Sequence, residues 1–460
     1  MPRSLRLTDG SYMRRPDIHN LMHYLNAMQC VEVVGFSNIG KSAFMRLLGQ
    51  SDVWVQELGE AGDKILPVYI DCNLMLDMSD QGFYEIVLRC LRERSPELAQ
   101  LPELTTAYNA LVNAASSDFQ VPLSFSQGLN AVLQSTQRRL VLLLDEFDEP
   151  FTLMDPRVML NLRALKDRHS NDLAYVVALV KPMGSHVNNG EYRSEFRELF
   201  NHRTWHLAPL TRSDVDRVVR SYMGAYEARF IASDFDFIYK WAGGHPCLLE
   251  SVCRMLDAEL ENYAPDINEP ETHWEIHRQT AKKFRHNSSI NYECAKIWEG
   301  CSTDEQQALQ DFVDGEDEIA ADVLVGLYRQ HILFRVEGKP QFFCRLLKEY
   351  IQRQNSQQQP ESTSLWVNVD SGEVLIDGQA IETLTNLEYK LMLLLFHNAE
   401  KIIDKYEIVT NVWGDSYINE VDDARIEKLV SRLRQKIEPD PSNPVFLTTV
   451  RGRGYRLLLS

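Results

Sequence analysis

The sequence predicts an α/β body built on a parallel sheet, followed by mostly helical segments and then a separate, smaller α+β domain. Three observations carry this. Continuous apolar runs (CVEVVGF, KILPVYIDC, RRLVLLLDEF, LAYVVALVKP) are separated by segments with helical spacing, the pattern of strands covered on both faces by helices. The stretch QRQNSQQQPESTS, residues 352–364, is polar and nearly free of apolar side chains, so it reads as a flexible linker. Beyond it, short strand patterns with Gly-containing turns precede helical patterns and a closing hairpin, the make-up of a winged helix-turn-helix.

The bulk numbers agree. A chain of 460 residues is too long for one ordinary domain. Its formal net charge of −18 argues against a protein that coats nucleic acid along its whole length, but leaves room for a local basic patch. The 8 cysteines form no CxxC pair and no zinc-spaced group with histidine. With no signal-peptide pattern, they are expected to be reduced thiols of a cytoplasmic protein. No apolar run approaches the roughly 20 residues that span a bilayer.

In the body, TRSDVDRVVRSYM is expected to be a helix capped by Ser213. From there to about residue 354 the pattern is helical, with a strand pair near HILFRVEGKPQFFCR. No internal repeat is present, which disfavours a solenoid or propeller.

Two segments carry chemistry. GFSNIGKS, Gly35 to Ser42, satisfies G-x-x-x-x-G-K-[ST], follows a strand and opens a helix. Gly35 and Gly40 permit the loop, whose N–H groups face phosphates. Lys41 is placed to reach the β/γ-phosphates and the Ser42 hydroxyl to ligate Mg²⁺. The candidate nucleotide contacts are Gly35, Asn38, Ile39, Gly40, Lys41, Ser42 and Ala43. LVLLLDEFDEP supplies an acid pair at the end of a neighbouring strand: Asp145 for the metal, Glu146 as general base. The expected cofactors are ATP and Mg²⁺.

The Asp-Glu pair resembles the AAA+ ATPases, and within them the STAND signalling NTPases. HLAPLTRSDV is similar to the segment joining their nucleotide domain to a helical lid, which implies that Pro209 packs against adenine. WAGGHPCLL is similar to a lid motif, so His245 is a nucleotide contact, an inter-domain contact or a helix-capping residue. EQQALQDFV and VLVGLYRQHILFRVEGKPQFFCRLLKEYI resemble the winged helix that ends such modules. Lys181 falls at the sensor position after the fourth strand, and an arginine finger is Arg197 or Arg203. The implied divisions are a P-loop nucleotide-binding domain (1–210), a helical lid (211–270), a winged-helix-like domain (271–351), the linker (352–364) and a terminal domain (365–460). A phosphoreceiver reading fails, because LPELTTAYNA lies where its acid pair belongs.

In the terminal domain, LTNLEYKLMLLLFHN is expected to be a helix capped by Thr385 with Glu388 completing a capping box. From Arg425 to Arg456 there are 8 basic and 3 acidic residues. Arg425, Lys428 and Arg432 share one helix face, with Ile426, Leu429, Val430, Leu433 and Ile437 on the other. DPSNPVFLTTVRGRGYRL, with LTNLEYKLMLLL, VWG and RLRQKIE in order, resembles OmpR/PhoB-type DNA-binding domains. The resemblance places Arg425, Lys428 and Arg432 on the recognition helix and Arg451 and Arg453 in the wing. Arg434 serves either structure or phosphate contact. Gly452 and Gly454 are expected to let the hairpin turn tightly, with Tyr455 and Leu457 pinning the returning strand. Together these readings imply a transcriptional regulator that binds double-stranded DNA, self-associates, takes its signal from an unidentified partner protein and hydrolyses ATP slowly as a switch. The alternative is a DNA-dependent AAA+ ATPase of replication, transposition or phage defence, tethered by its tail.

Overall fold

The computed structural model describes residues 5–6, 10–115, 119–185, 191–201, 203–262, 270–315, 319–358, 365–367, 374–376, 379–381, 384–399, 401–414, 423–438, 441, 444–450 and 453–458. The chain divides into two compact units, Met1–Arg353 and Gln354–Ser460.

The first unit is built on five parallel strands: β1 (Val31–Val34), β2 (Ile65–Asp71), β3 (Arg139–Asp145), β4 (Leu173–Leu179) and β5 (Thr204–His206), in the order β2-β3-β4-β1-β5. Alternation along each strand feeds two cores. Val141, Leu143, Ala174, Val176 and Ala178 enter one, while Leu140, Leu142, Leu144, Tyr175 and Val177 enter the other. Helices covering both faces explain why the strands read as unbroken apolar runs. The edge strand β5 was not expected: three residues, all half-buried, give no period to detect. The Asp145 strand is not the immediate neighbour of β1, because β4 lies between them. Register still brings the ends level, with Val34 opposite Leu179 and Leu144 opposite Val177.

The next helices are Arg212–Tyr226, Ala232–Ala242 and Pro246–Asn262. The first is capped by Thr211, whose hydroxyl accepts from the Asp214 N–H at 3.3 Å, and not by Ser213. Leu210 N–H donates to the Gly244 carbonyl at 3.0 Å, and a Cβ on Gly244 would meet the Leu210 carbonyl oxygen at 2.1 Å. That backbone approach sets where the helix begins. Helix Pro270–Phe284 joins this bundle through side chains that meet Asp234.

Helices Ser288–Gly300, Thr303–Asp314 and Ala321–Arg329 and the hairpin β6 (Leu333–Val336) to β7 (Lys339–Phe342) follow. Glu337 and Gly338 have φ of 50° and 84°, the left-handed pair that turns a two-residue hairpin. Helix Arg345–Gln358 then runs through the first seven positions of the expected linker. The rest of that stretch, 359–364, lies outside the described residues.

The second unit opens with an antiparallel sheet of β8 (Leu365–Val367), β9 (Val374–Ile376) and β10 (Gln379–Ala380). Helix Asn386–His397 carries the expected Thr385/Glu388 capping box. Helix Lys405–Ile408 widens into a π turn over Val409–Trp413, and helix Asp423–Ile437 precedes the hairpin of β11 (Leu447–Val450) and β12 (Gly454–Leu457). Tyr455 and Leu457 are buried, as expected. Gly454 also makes a close backbone approach that the sequence did not reveal. It has φ of +135°, and a Cβ there would sit 2.0 Å from the Ile403 carbonyl oxygen. Ile403 and Tyr455 exchange backbone hydrogen bonds of 2.8 and 2.9 Å beside it, so the glycine admits that bridge; Gly452 lies outside the described residues. Gly454→Ala is expected to destabilise this domain by about 3 kcal/mol or more, combining backbone strain with the clash. Chemical unfolding of the full chain should show the loss in the domain's own transition.

Candidate nucleotide site and nucleic-acid interface

The phosphate loop joins β1 to helix Lys41–Leu48. Gly35 leaves no room for a side chain, since its Cβ would lie 2.8 Å from Ile39 Cγ2. Gly40 adopts φ of +101°, which an L side chain resists, and lets the chain enter the helix. Lys41 is 7% exposed and folds back over the loop, its Nζ donating to the Gly35 carbonyl at 2.7 Å. Burial lowers its pKa, while Glu146, Asp148 and Asp145 pull the other way.

Asp145 ends β3, and Glu146 follows it at φ of 53°, a left-handed conformation rare for a side chain of this kind. Tyr69, on β2, donates its hydroxyl to Asp145 Oδ2 at 2.9 Å. Asp145 Oδ1 is buried with no hydrogen-bond partner among the described residues. Burial raises the Asp145 pKa, offset by the Tyr69 and Ser42 hydroxyls. Ser42 Oγ donates to Glu146 Oε1 at 3.3 Å. The structure therefore gathers Lys41, Ser42, Asp145 and Glu146 as expected. An orphaned carboxylate oxygen beside a serine hydroxyl fits a hard cation, which takes oxygen ligands and fills such a gap.

The other candidate side chains have protein contacts of their own. Asn38 donates to both oxygens of Glu293, at 3.1 and 2.8 Å. Ile39 is fully buried in the core, and Pro209 is buried in the lid junction. His245 is fully buried and combines two of its three expected roles. Its Nδ1 accepts from Leu248 N–H at 3.3 Å, capping the helix, so Nε2 carries the proton and donates to the Ser37 carbonyl at 3.1 Å. Burial pushes its pKa down to about 4, which keeps the ring neutral in that bond. Lys181 is exposed and lines a cavity of about 290 Å³ that also touches Gly35, Ser37 and Lys296. Arg203 donates to the carbonyls of Cys30 and Leu199, a structural use.

Arg14 is the residue that sequence reasoning missed. It is 2% exposed and left-handed at φ of 60°. Its guanidinium donates to the Ala208 carbonyl at 2.6 Å and the Ile39 carbonyl at 2.7 Å, and its N–H donates to Asp214 at 3.1 Å. It ties the phosphate loop to the start of the lid, with partners up to 200 positions away that no local pattern reveals.

In the second unit, Arg425, Lys428 and Arg432 are exposed on helix Asp423–Ile437, opposite buried Ile426, Leu429, Val430, Leu433 and Ile437. Arg434 is not on that face. Its Nε and Nη2 grip the Leu447 carbonyl at 2.9 and 2.6 Å, and Nη2 donates to Thr449 Oγ1 at 2.8 Å. It holds the hairpin to the helix, the structural one of its two expected uses. Glu438, read in the sequence only as a charge, accepts from the N–H groups of Val445, Phe446 and Leu447 at 2.7, 3.1 and 2.6 Å and fixes the same hairpin. Arg453 is exposed beside the turn, and Arg451 lies outside the described residues.

The fold and sites define a P-loop NTPase-type body joined to a winged-helix DNA-binding domain. Residues 378–457 match the family model "Transcriptional regulatory protein, C terminal". Over 97 residues the chain is 40% identical to the sensory transduction protein RegX3 of Mycobacterium leprae, covering 21% of this chain and 48% of that protein. Over 96 residues it is 34% identical to the transcriptional regulatory protein KdpE of Mycobacterium tuberculosis, covering 21% and 41%. The chain thus spans less than half the length of these relatives. Among solved structures, the RstA DNA-binding domain of Klebsiella pneumoniae, in complex with the RstA box, is 25% identical (TM-score 0.19, 21% of this chain, 93% of that one). The Walker-type ATPase of Pyrococcus abyssi is 8% identical (TM-score 0.40, 76% and 98%). The C-terminal segment is an OmpR/PhoB-type DNA-binding domain of transcriptional regulators.

Proposed function

We propose that this chain is an ATP-dependent, STAND-like regulator of transcription, in which nucleotide state gates self-assembly and DNA binding. The observation that carries the reading is the convergence of Lys41, Ser42, Asp145 and Glu146, with Asp145 Oδ1 buried and unpartnered among the described residues. Lys41 would exchange the Gly35 carbonyl for the nucleotide's β/γ-phosphates. Ser42 and Asp145 would hold Mg²⁺, which supplies neutralisation of phosphate charge. Glu146 is placed to accept a proton from an attacking water, giving slow ATP hydrolysis.

Gating follows from what the loop is tied to. Arg14, the Asn38–Glu293 pair and the His245–Ser37 bond link it to the lid and to helix Ser288–Gly300. A ligand that rearranges the loop must change the free energy of those ties, so occupancy and lid posture are coupled. An assembled state then presents two or more DNA-binding domains to paired half-sites. The 8 cysteines are unpaired, which suits a reducing cytoplasm. Among the described residues, no helix is long and apolar enough to cross a membrane.

The test is DNA affinity of the full chain with ATP, with ADP and without nucleotide, alongside light scattering. A difference of about tenfold or more between states is expected, worth ~1.4 kcal/mol of coupling. Equal affinity and equal mass at saturating nucleotide would sink the gating.

A further inference from the structure

We propose that Asp234, His273 and His277 form a binding site for a divalent transition-metal cation of the zinc class, inside the helical bundle that follows the nucleotide domain. Asp234 lies in the first turn of helix Ala232–Ala242. The histidines stand at i and i+4 on helix Pro270–Phe284, which puts both rings on one face. One ligand atom from each residue lies within 4.8 Å of the others, and this is the one such trio among the described residues.

The donors are held in advance. Asp234 and His273 are fully buried, and the His277 side chain is 14% exposed. Asp234 Oδ2 accepts from Ile231 N–H at 2.7 Å, which fixes the carboxylate and aims Oδ1 inward. His273 Nδ1 and His277 Nε2 both point at that single oxygen, at 3.0 and 2.6 Å. Phe237 stacks on the His277 ring, with centroids 4.3 Å apart, and sets its plane. Donor atoms from three side chains are thus gathered closely enough for one cation to bridge them. Two imidazole nitrogens and one carboxylate oxygen suit zinc and its neighbours; Mg²⁺ and Ca²⁺ prefer all-oxygen sets.

Tetrahedral zinc with bonds of about 2.0–2.2 Å needs ligand atoms roughly 3.3–3.6 Å apart, so the His273 nitrogen moves back from Oδ1 by about 0.3–0.6 Å and the His277 nitrogen by about 0.7–1 Å. Each imidazole must present a lone pair, so the proton now facing Asp234 moves to the other ring nitrogen or is released. The fourth position falls on the partly open His277 side and takes water. Bound metal would clip helix Pro270–Phe284 to helix Ala232–Ala242. Lid rigidity would then depend on metal supply.

The test uses the full chain, stripped by chelator, desalted and titrated with zinc alone or cobalt alone. One zinc per chain is expected, with a rise of several degrees in the thermal midpoint of the N-terminal body. Cobalt is expected to give tetrahedral visible bands without a thiolate charge-transfer band. His277→Gln preserves a donor to Asp234 Oδ1 but not a metal ligand, so zinc affinity should fall by about 100-fold or more while circular dichroism is unchanged. No bound ion at about 100 μM zinc, a thiolate-type cobalt spectrum, or undiminished zinc binding by a folded His277→Gln would each overturn the site. If that variant misfolds, the stoichiometry and cobalt spectrum of the unaltered chain decide.

Discussion

Lys41→Ala is expected to abolish measurable ATP binding while leaving the body folded. In the structure the ammonium is buried and bonded to the carbonyl of Gly35 at 2.7 Å, with no carboxylate in ion-pair contact among the described residues. Truncation removes a buried charge along with its bond, so the folded state loses little. The bound state loses much more, because a phosphate-bearing ligand forfeits a point charge and charge-assisted hydrogen bonds worth ~1.5–3 kcal/mol each. Two such bonds correspond to a drop in affinity of about 10² to 10⁴. Glu146→Gln separates binding from chemistry. It keeps a group that can accept from Ser42 but removes the base, so ATP binding should persist while phosphate release falls by about 10² to 10⁴. Titration with a fluorescent ATP analogue and a phosphate-release assay read both variants, with near-UV circular dichroism as the check on folding. ATP bound by Lys41→Ala as tightly as by the unaltered chain would remove the site assignment altogether.

What the sequence revealed, and what it hid, divides by range. The strands and phosphate loop were legible because their signals are local: apolar runs, two glycines at fixed spacing, an acid pair at a strand end. The Thr385/Glu388 cap and the buried stripe from Ile426 to Ile437 were legible for the same reason. Thr211 and Ser213 show where local reasoning stops. Both hydroxyls can cap a helix, and the choice is made by the close approach of Leu210 to Gly244, more than thirty residues along. Arg14, Tyr69 and Glu293 buttress the candidate nucleotide site through partners 25 to 255 positions distant, at spacings no periodicity encodes. Arg434 and Arg432 look alike in sequence, yet 3.6-residue geometry turns one toward the hairpin and leaves the other in solvent. The polar run from 352 to 358 looked like linker because Gln and Ser are soluble; Gln is also an adequate helix former, and the preceding helix carries it along.

Which face of helix Asp423–Ile437 each basic residue occupies decides how DNA binding should respond to mutation. Replacing Arg425, Lys428 and Arg432 together with alanine is expected to weaken binding to a non-specific duplex of about 30 base pairs by roughly 10² to 10³, and to flatten its salt dependence. Each phosphate contact contributes about 0.9 to the slope of log affinity against log salt, so three lost contacts should lower it by nearly 3 units. The side chains are exposed and their helix is anchored from the opposite face, and near-UV circular dichroism checks that the variant is folded. Arg434→Ala should do the reverse. Losing its grip on Leu447 and Thr449 destabilises the domain by about 1–3 kcal/mol, while the salt slope of the folded protein stays the same. Fluorescence anisotropy across a salt series measures both. An unchanged slope in the triple variant would place the DNA-facing surface elsewhere, and a fall in slope with Arg434→Ala would return that arginine to it. The contrast matters because the whole chain carries a net charge of −18, which disfavours approach to DNA at long range. Attraction to DNA is therefore expected to rest on local clusters of cations, and the triple variant removes three of them from one helix face.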